Sequence, residues 1–312
     1  MITLTADAPE SPTRTETSRR PPLRIGVVQH RWRPDRTELT SVLGDAIARA
    51  AAAGARAVFL PELTLSRYPG DTSPPSTPAA GAEDLRSGPT FAFAAESARA
   101  NRVFVHASLY EKAAPERGRN DGLGYNAAIL VSPDGELVAR VRKMHVPNSE
   151  GYRERGYFRP GPLDGDPYPV HEPSGLGARL GLPTCWDQWF PEVARTYSLR
   201  GAEIVVYPSA IGSEPSFPQF DSEPRWRKVI VGNGIANGLF MVVPNRTGDE
   251  GTINFYGSSF ISDPYGRLLL RAPRNEEALL IADLDLDQRR DWLNAFPLLD
   301  LRRPDSYDAL VD

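Results

Sequence analysis

The chain has 312 residues, 40% of them hydrophobic, a net charge of -4 and one cysteine. That length suits one large domain or two small ones with a substantial core, and the acidic balance excludes the concentrated positive charge by which proteins hold nucleic acid. No run approaches the roughly 18 apolar residues of a membrane span, the first residues lack the apolar centre of a secretory signal, and a single cysteine forms no internal disulfide. A cytoplasmic protein without a membrane or nucleic-acid partner is expected.

Residues 1 to about 22 are rich in Ser, Thr, Pro, Arg and Glu and poor in aliphatics, which predicts a disordered tail without chemistry. Asp7, Glu10 and Glu16 do not suit an acid-poor transit peptide. From Leu23 short β-branched runs alternate with helical periods, the pattern of an α/β chain. Leu23–Gln29 reads as a strand, Arg36 to about Ala53 as an alanine-rich helix, and Ala57–Leu60 as a strand ending at Pro61-Glu62. Gly70–Pro89 is a Pro- and Gly-rich loop and a candidate pocket wall. A helix near Phe91–Ala100 precedes strands at Arg102–Leu109, Tyr125–Val131 and Glu136–Arg142. After an irregular stretch, Pro147–Glu172, come strands Ala178–Leu182, Ala202–Tyr207 and Leu239–Val243, with helices from Pro191 and over Pro224–Asn237. Strands Phe255–Ser262, Arg267–Leu270 and Ala278–Leu284, a short helix and an arm complete residues 23–312, which read as a single domain of two packed sheets with helices outside.

Three polar residues stand at predicted strand ends: Glu62, Lys143 and Cys185. In α/β architectures ligands gather outside the carboxyl ends of strands, so residues distant in sequence can meet there. Singly, each has a plain reading as a solvated acid, a surface charge and a core thiol. Together they suggest nucleophilic chemistry. A helix starting near Pro191 follows Cys185 closely, and unpaired amides at a helix start favour a thiolate. Trp186, Trp189 and Phe190 can exclude water, Glu62 can take the thiol proton and later activate water, and Lys143 can stabilise an oxyanion.

Pro61-Glu62-Leu63, Arg142-Lys143-Met144-His145 and Cys185-Trp186-Asp187-Gln188-Trp189-Phe190-Pro191-Glu192 resemble the three catalytic motifs of the nitrilase, or carbon-nitrogen hydrolase, superfamily. The chain is most similar to its N-carbamoylputrescine amidohydrolase branch. Tyr125-Asn126-Ala127, Tyr157 to Gly161, Ala210 to Pro215, Asn245-Arg246 and Phe255-Tyr256-Gly257 carry the similarity further, from about Leu23 to Arg302-Arg303-Pro304-Asp305. The resemblance implies a four-layer α-β-β-α sandwich, with Glu62 as general base, Lys143 as oxyanion stabiliser, Cys185 as nucleophile and Glu154 as a second glutamate that positions substrate and lysine. It implies hydrolysis of a small-molecule carbamoyl amine through a cysteine-linked intermediate, no metal or organic cofactor, and assembly as a homo-oligomer. Candidate substrate-binding residues are Trp186, whose amide also serves the oxyanion, Tyr68, Ser213 and Glu214. Glu214 either binds a cationic substrate end or caps the following segment.

Val146 to Gly151 and Thr64 to Gly70 depart from that branch, so a modified amine, a carbamoyl amino acid or an amide stays open as substrate. A Cys-His enzyme would need His30, His106, His145 or His171, of which only His145 adjoins a motif, and the four show no metal-ligand spacing. Gly175 to Gly181 enters a strand instead of leaving one, unlike a dinucleotide loop. A non-catalytic member that binds an amide is the alternative from another class. Trp292, Phe296 and Leu298 to Leu301 are apolar enough for the arm to pack on a neighbour or on its own chain.

Overall fold

The computed structural model describes residues 1–114 and 121–310. Among the described residues one sheet has eight strands: β1 (Ile2–Ala6), β2 (Leu23–Gln29), β3 (Ala57–Phe59), β4 (Phe104–Glu111), β5 (Gly124–Val131), β6 (Leu137–Arg142), β7 (Phe158–Arg159) and β16 (Ala278–Leu284). Their order is β1-β16-β2-β3-β4-β5-β6, with β7 beside β5. The second sheet has six strands in the order β15 (Leu268–Arg271), β14 (Phe260–Ser262), β11 (Phe240–Val243), β10 (Ile204–Val206), β9 (Leu180–Gly181) and β8 (Val170–His171). A small hairpin pairs β12 (Thr247–Asp249) with β13 (Asn254–Tyr256).

Side-chain alternation sorts the strands into layers. Ile25 and Val27 of β2, Ala57 and Phe59 of β3, Ile204 and Val206 of β10, and Phe240 and Val242 of β11 share one buried cluster between the sheets. The intervening residues face outward. Val28 and Val58 pack under α1 (Arg36–Ala52) and α2 (Pro89–Asn101), while Val205, Met241 and Val243 pack under α3 (Pro191–Leu199) and α4 (Glu223–Asn237). The result is the expected α-β-β-α sandwich.

Helix α1 buries Leu39, Leu43, Ala46, Ile47 and Ala50, a single stripe at helical spacing, and its N-cap Asp35 accepts from the Thr37 N–H at 2.8 Å. Gly26 lets this helix lie close on the sheet: a Cβ there would stand 2.9 Å from that of Ala50. No described helix is long and apolar enough to cross a membrane.

Two sequence expectations are corrected. Residues 1 to 22 are not a free tail: β1 runs parallel to β16, Ile2 opposite Ala278. Beyond it Arg14 bonds Asp291 at 2.8 Å and Asp285 at 2.5 Å, and Arg20 pairs with Glu203. The ordering comes from charges far along the chain, which local composition does not reveal. Second, Phe255–Ser262 is not one strand, because Gly257 and Ser258 have φ of 56° and 58° and break it between β13 and β14. At Gly257 a Cβ would lie 2.4 Å from the Arg274 carbonyl oxygen. As expected, a helix starts at Pro191 just after Cys185, and the residues between them, Cys185–Trp189, form a 3-10 turn ahead of α3.

The last helix, α5 (Gln288–Ala295), folds back on its own chain: the Trp292 indole donates to the Ile235 carbonyl at 2.9 Å and packs edge-on to Tyr265. Phe296 and Leu301 beyond it are exposed.

Candidate active site

Strand direction brings the candidate residues together. β3 runs parallel to β4, and β6 is antiparallel to β5, itself antiparallel to β4, so β3 and β6 point the same way. Glu62 follows the first and Lys143 the second. In the other sheet β9, β10 and β11 are mutually parallel; Cys185 follows β9 and Ala210 follows β10. Glu62, Lys143, Glu154 and Cys185 are all buried.

Lys143 Nζ donates to Glu62 Oε1 at 2.9 Å and to Glu154 Oε2 at 2.7 Å. Burial alone would lower its pKa, but the Glu154 and Glu62 carboxylates outweigh that and keep the ammonium charged. Burial pushes the Glu154 carboxyl up, partly offset by Lys143. Tyr68 completes the chain: its hydroxyl donates to Glu154 Oε1 at 2.8 Å, and burial raises its pKa well above the usual phenol value, so it stays a donor. Glu62 is further held by the Asn126 amide, 2.7 Å from Oε1, and the Ala210 backbone N–H, 2.8 Å from Oε2. A carboxylate fixed at both oxygens presents a lone pair in one direction.

Cys185 has φ of 37°, a left-handed conformation uncommon outside glycine, and its N–H donates to the Pro208 carbonyl at 3.0 Å. The thiolate expected from a helix start is not the resting form. Burial raises the thiol pKa well above its ordinary value, Glu62 adds to this, and Lys143 opposes it. The sulfur is therefore protonated at neutral pH and needs a base, which the neighbouring carboxylate can be. Among the described residues nothing accepts from the Trp186 N–H, leaving it available to a developing oxyanion.

The Trp186 ring is half-buried, stands edge-on to Trp189 and lines a cavity of about 520 Å³ with His145 and Phe190. Ser213 lines another of about 470 Å³ with Gly212, Tyr256, Asn254 and Arg274. Its Oγ accepts from the Asn254 N–H at 3.0 Å. Glu214 is half-buried and its carboxylate has no cationic partner among the described residues; the Tyr152 and Tyr256 hydroxyls feel its charge. Tyr68 spends its hydroxyl on Glu154, inside the charged chain.

Sequence reasoning gave no role to Asn126, Tyr152, Asp187, Arg246 or Glu250. Asn126 had a legible signal, a polar residue within the apolar run Tyr125–Val131, since a buried amide must be hydrogen-bonded. Ser108 in β4 is a second case: its Oγ accepts from Leu63 N–H at 3.0 Å and donates to Asn126 Oδ1 at 3.4 Å, which turns the amide nitrogen toward Glu62.

A family model described as carbon-nitrogen hydrolase matches residues 24–294. An N-carbamoylputrescine amidase of Solanum tuberosum is 38% identical over 217 residues, 67% of this chain and 68% of the relative. A citrullinase of Francisella tularensis subsp. tularensis is 33% identical over 293 residues, 93% of this chain and 98% of the relative. The crystal structure of a carbon-nitrogen hydrolase from Helicobacter pylori G27 has a TM-score of 0.81 at 32% identity, covering 93% of this chain and 98% of that one. The family match takes in both sheets apart from β1 and the start of β2, and spans Glu62, Lys143, Glu154 and Cys185, and the chain belongs to the carbon-nitrogen hydrolase family of the nitrilase superfamily.

Proposed function

We propose that this protein hydrolyses the ureido group of an N-carbamoyl amine, with Cys185 as nucleophile, Glu62 as base and Lys143 as oxyanion stabiliser. The observation that carries it is the buried Lys143 ammonium held between Glu62 and Glu154 at 2.9 and 2.7 Å, with a protonated thiol in the same field. Glu62 takes the thiol proton as sulfur bonds to the ureido carbon. The oxyanion forms against Lys143 and the Trp186 N–H. Collapse expels one nitrogen, which leaves with the proton from Glu62, and water activated by Glu62 then breaks the carbon-sulfur bond. The carbamic acid formed along the way loses carbon dioxide, so one ureido group and one water give amine, ammonia and carbon dioxide. Glu154, itself fixed by Tyr68, positions the lysine.

Relatives named N-carbamoylputrescine amidase and citrullinase support a ureido substrate, and Glu214, without a cationic partner among the described residues, supports a cationic far end. Ammonia release across carbamoyl diamines, carbamoyl amino acids, aliphatic amides and nitriles tests the reading. The ureido compounds turn over fastest; a preference for nitriles overturns the assignment. Undiminished turnover in Cys185→Ala overturns the mechanism.

A further inference from the structure

The hydrogen-bonded chain from Glu62 through Lys143 and Glu154 to Tyr68 begins and ends on the same loop. Its two ends are side chains six positions apart, so the shape of Glu62–Tyr68 decides whether the four groups can meet at once. Within the loop the Ser66 N–H donates to the Leu63 carbonyl at 2.9 Å, which closes one turn only. Leu63 has φ of 50°, a left-handed backbone that a leucine adopts only when its surroundings impose it.

Ser108 of β4 holds the Leu63 and Thr64 N–H groups, and the rest of the constraint comes from the small β12-β13 hairpin. Arg246 is fully buried, and its Nη2 donates to the carbonyl oxygens of Glu62 and Leu63, each at 2.9 Å, and of Ser66 at 3.0 Å. Nη1 donates to Glu250 Oε1 at 2.6 Å, and Glu250 Oε2 accepts the Tyr68 N–H at 3.0 Å. One acid-base pair thus grips the loop at both ends and in the middle. Both residues flank β12, so the paired hairpin fixes their separation. The adjacent Asn245 reaches the opposite side of the base: it accepts from the Ile211 N–H at 3.1 Å and donates to the Ile211 carbonyl at 3.0 Å, holding the residue next to Ala210, whose own N–H meets Glu62 Oε2.

We infer that Arg246 and Glu250 are positioning residues for the reaction, setting Glu62 and Tyr68 relative to Lys143 through the backbone of the intervening loop. This rests on the roles proposed above for Glu62, Lys143 and Cys185. A planar guanidinium can serve three carbonyls and a carboxylate together, whereas a lysine ammonium offers a compact point charge with three donors. Misplacement of a catalytic group by about 1 Å costs on the order of 100-fold in rate.

The test compares Arg246→Lys, Glu250→Gln, Tyr68→Phe and the Arg246→Lys/Tyr68→Phe double variant, with kcat and KM referred to folded protein measured by circular dichroism. Arg246→Lys lowers kcat by about 10- to 100-fold with little change in KM. Its loss combines with that of Tyr68→Phe less than multiplicatively, because both act on one chain. A purely structural role predicts a lower melting temperature with unchanged kcat per folded molecule, and that result, or strictly multiplicative losses, overturns the inference. Glu250→Gln, which keeps the side-chain volume, carries the test alone if Arg246→Lys does not fold. Cys185→Ala separates the two levels: turnover in that variant sinks the mechanism, whereas an inactive Cys185→Ala beside a fully active Arg246→Lys sinks only the positioning role.

Discussion

Asp187 Oδ1 lies 2.9 Å from the backbone nitrogen of His145 and 2.7 Å from its imidazole Nδ1, so one carboxylate oxygen holds the histidine twice. Since a carboxylate only accepts, Nδ1 carries the hydrogen. The second oxygen accepts the Thr184 N–H at 3.0 Å, and the ring stacks on Phe190 with centroids 3.7 Å apart. Asp187 therefore ties the segment after Lys143 to the turn that carries Cys185. Replacement by Asn puts an NH2 group where one of these donors points. Asp187→Asn is expected to lose about 10- to 100-fold in kcat and about 1–3 kcal/mol of stability, checked by steady-state kinetics and urea unfolding. Unaltered kinetics would show that the tie is dispensable.

Lys143→Met removes the cation between two buried acids. Breaking a buried ion pair from one side costs about 3–5 kcal/mol, because the remaining charge keeps its desolvation penalty. Burial already raises the Glu154 pKa, and without the lysine it rises further. A carboxyl whose folded pKa is raised is most favourable when protonated, so its contribution is present at low pH and lost as pH rises through that pKa. The deficit of Lys143→Met relative to the parent should thus be largest above neutrality and shrink toward pH 5. Denaturant midpoints at pH 5 and 8 decide it; an equal deficit at both would contradict the argument. Turnover should fall by at least about 100-fold.

His106 on β4 and His30 just after β2 are fully buried, and burial lowers their pKa to about 3 and about 4. Both are neutral in the folded protein at pH 6, while the unfolded chain takes up protons below about 6.5. Depressed folded values mean that stability is present above the unfolded pKa and declines as pH falls, levelling once the folded groups protonate. Between pH 6 and 4 each histidine contributes a slope of up to about 1.4 kcal/mol per pH unit. His106→Leu should remove one share of that slope, measured as the pH dependence of the urea midpoint. A slope identical to the parent's would exclude His106 as a source.

Deletion of residues 1–20 uncovers one edge of β16 and leaves Asp285, Asp287, Asp291 and Glu203 without the Arg14 and Arg20 side chains and the Arg19 N–H that serve them. The truncated chain is expected to melt several degrees lower, at roughly 2–4 °C per kcal/mol for a domain of this kind, while the melting gap narrows at high salt because parent ion pairs are screened. Scanning calorimetry at low and high salt checks both. Equal melting temperatures would mean that the segment adds nothing to the fold.

What the sequence disclosed follows from which interactions are local. Alternation in Ala57–Leu60 and Ala202–Tyr207 and the helical stripe from Leu39 to Ala50 reflect contacts with a nearby layer, and they place the strands from which Glu62 and Cys185 emerge. The Arg14–Asp291 pairing, the left-handed Gly257-Ser258 step and the grip of Arg246 on the Glu62 loop depend on residues far apart in the chain. No local pattern encodes them. The motifs named Glu62, Lys143 and Cys185, but the state of the thiol depended on burial, which no spacing rule reports.

The solitary sulfhydryl gives every thiol-directed reagent a single address on this protein. With that sulfur buried beneath the Trp186 turn, alkylation records how often the interior opens, and the labelled fraction counts competent sites one for one. A fluorescent maleimide thereby serves as titrant and clock at once, and protection by a bound ureido compound would read out occupancy without any turnover assay.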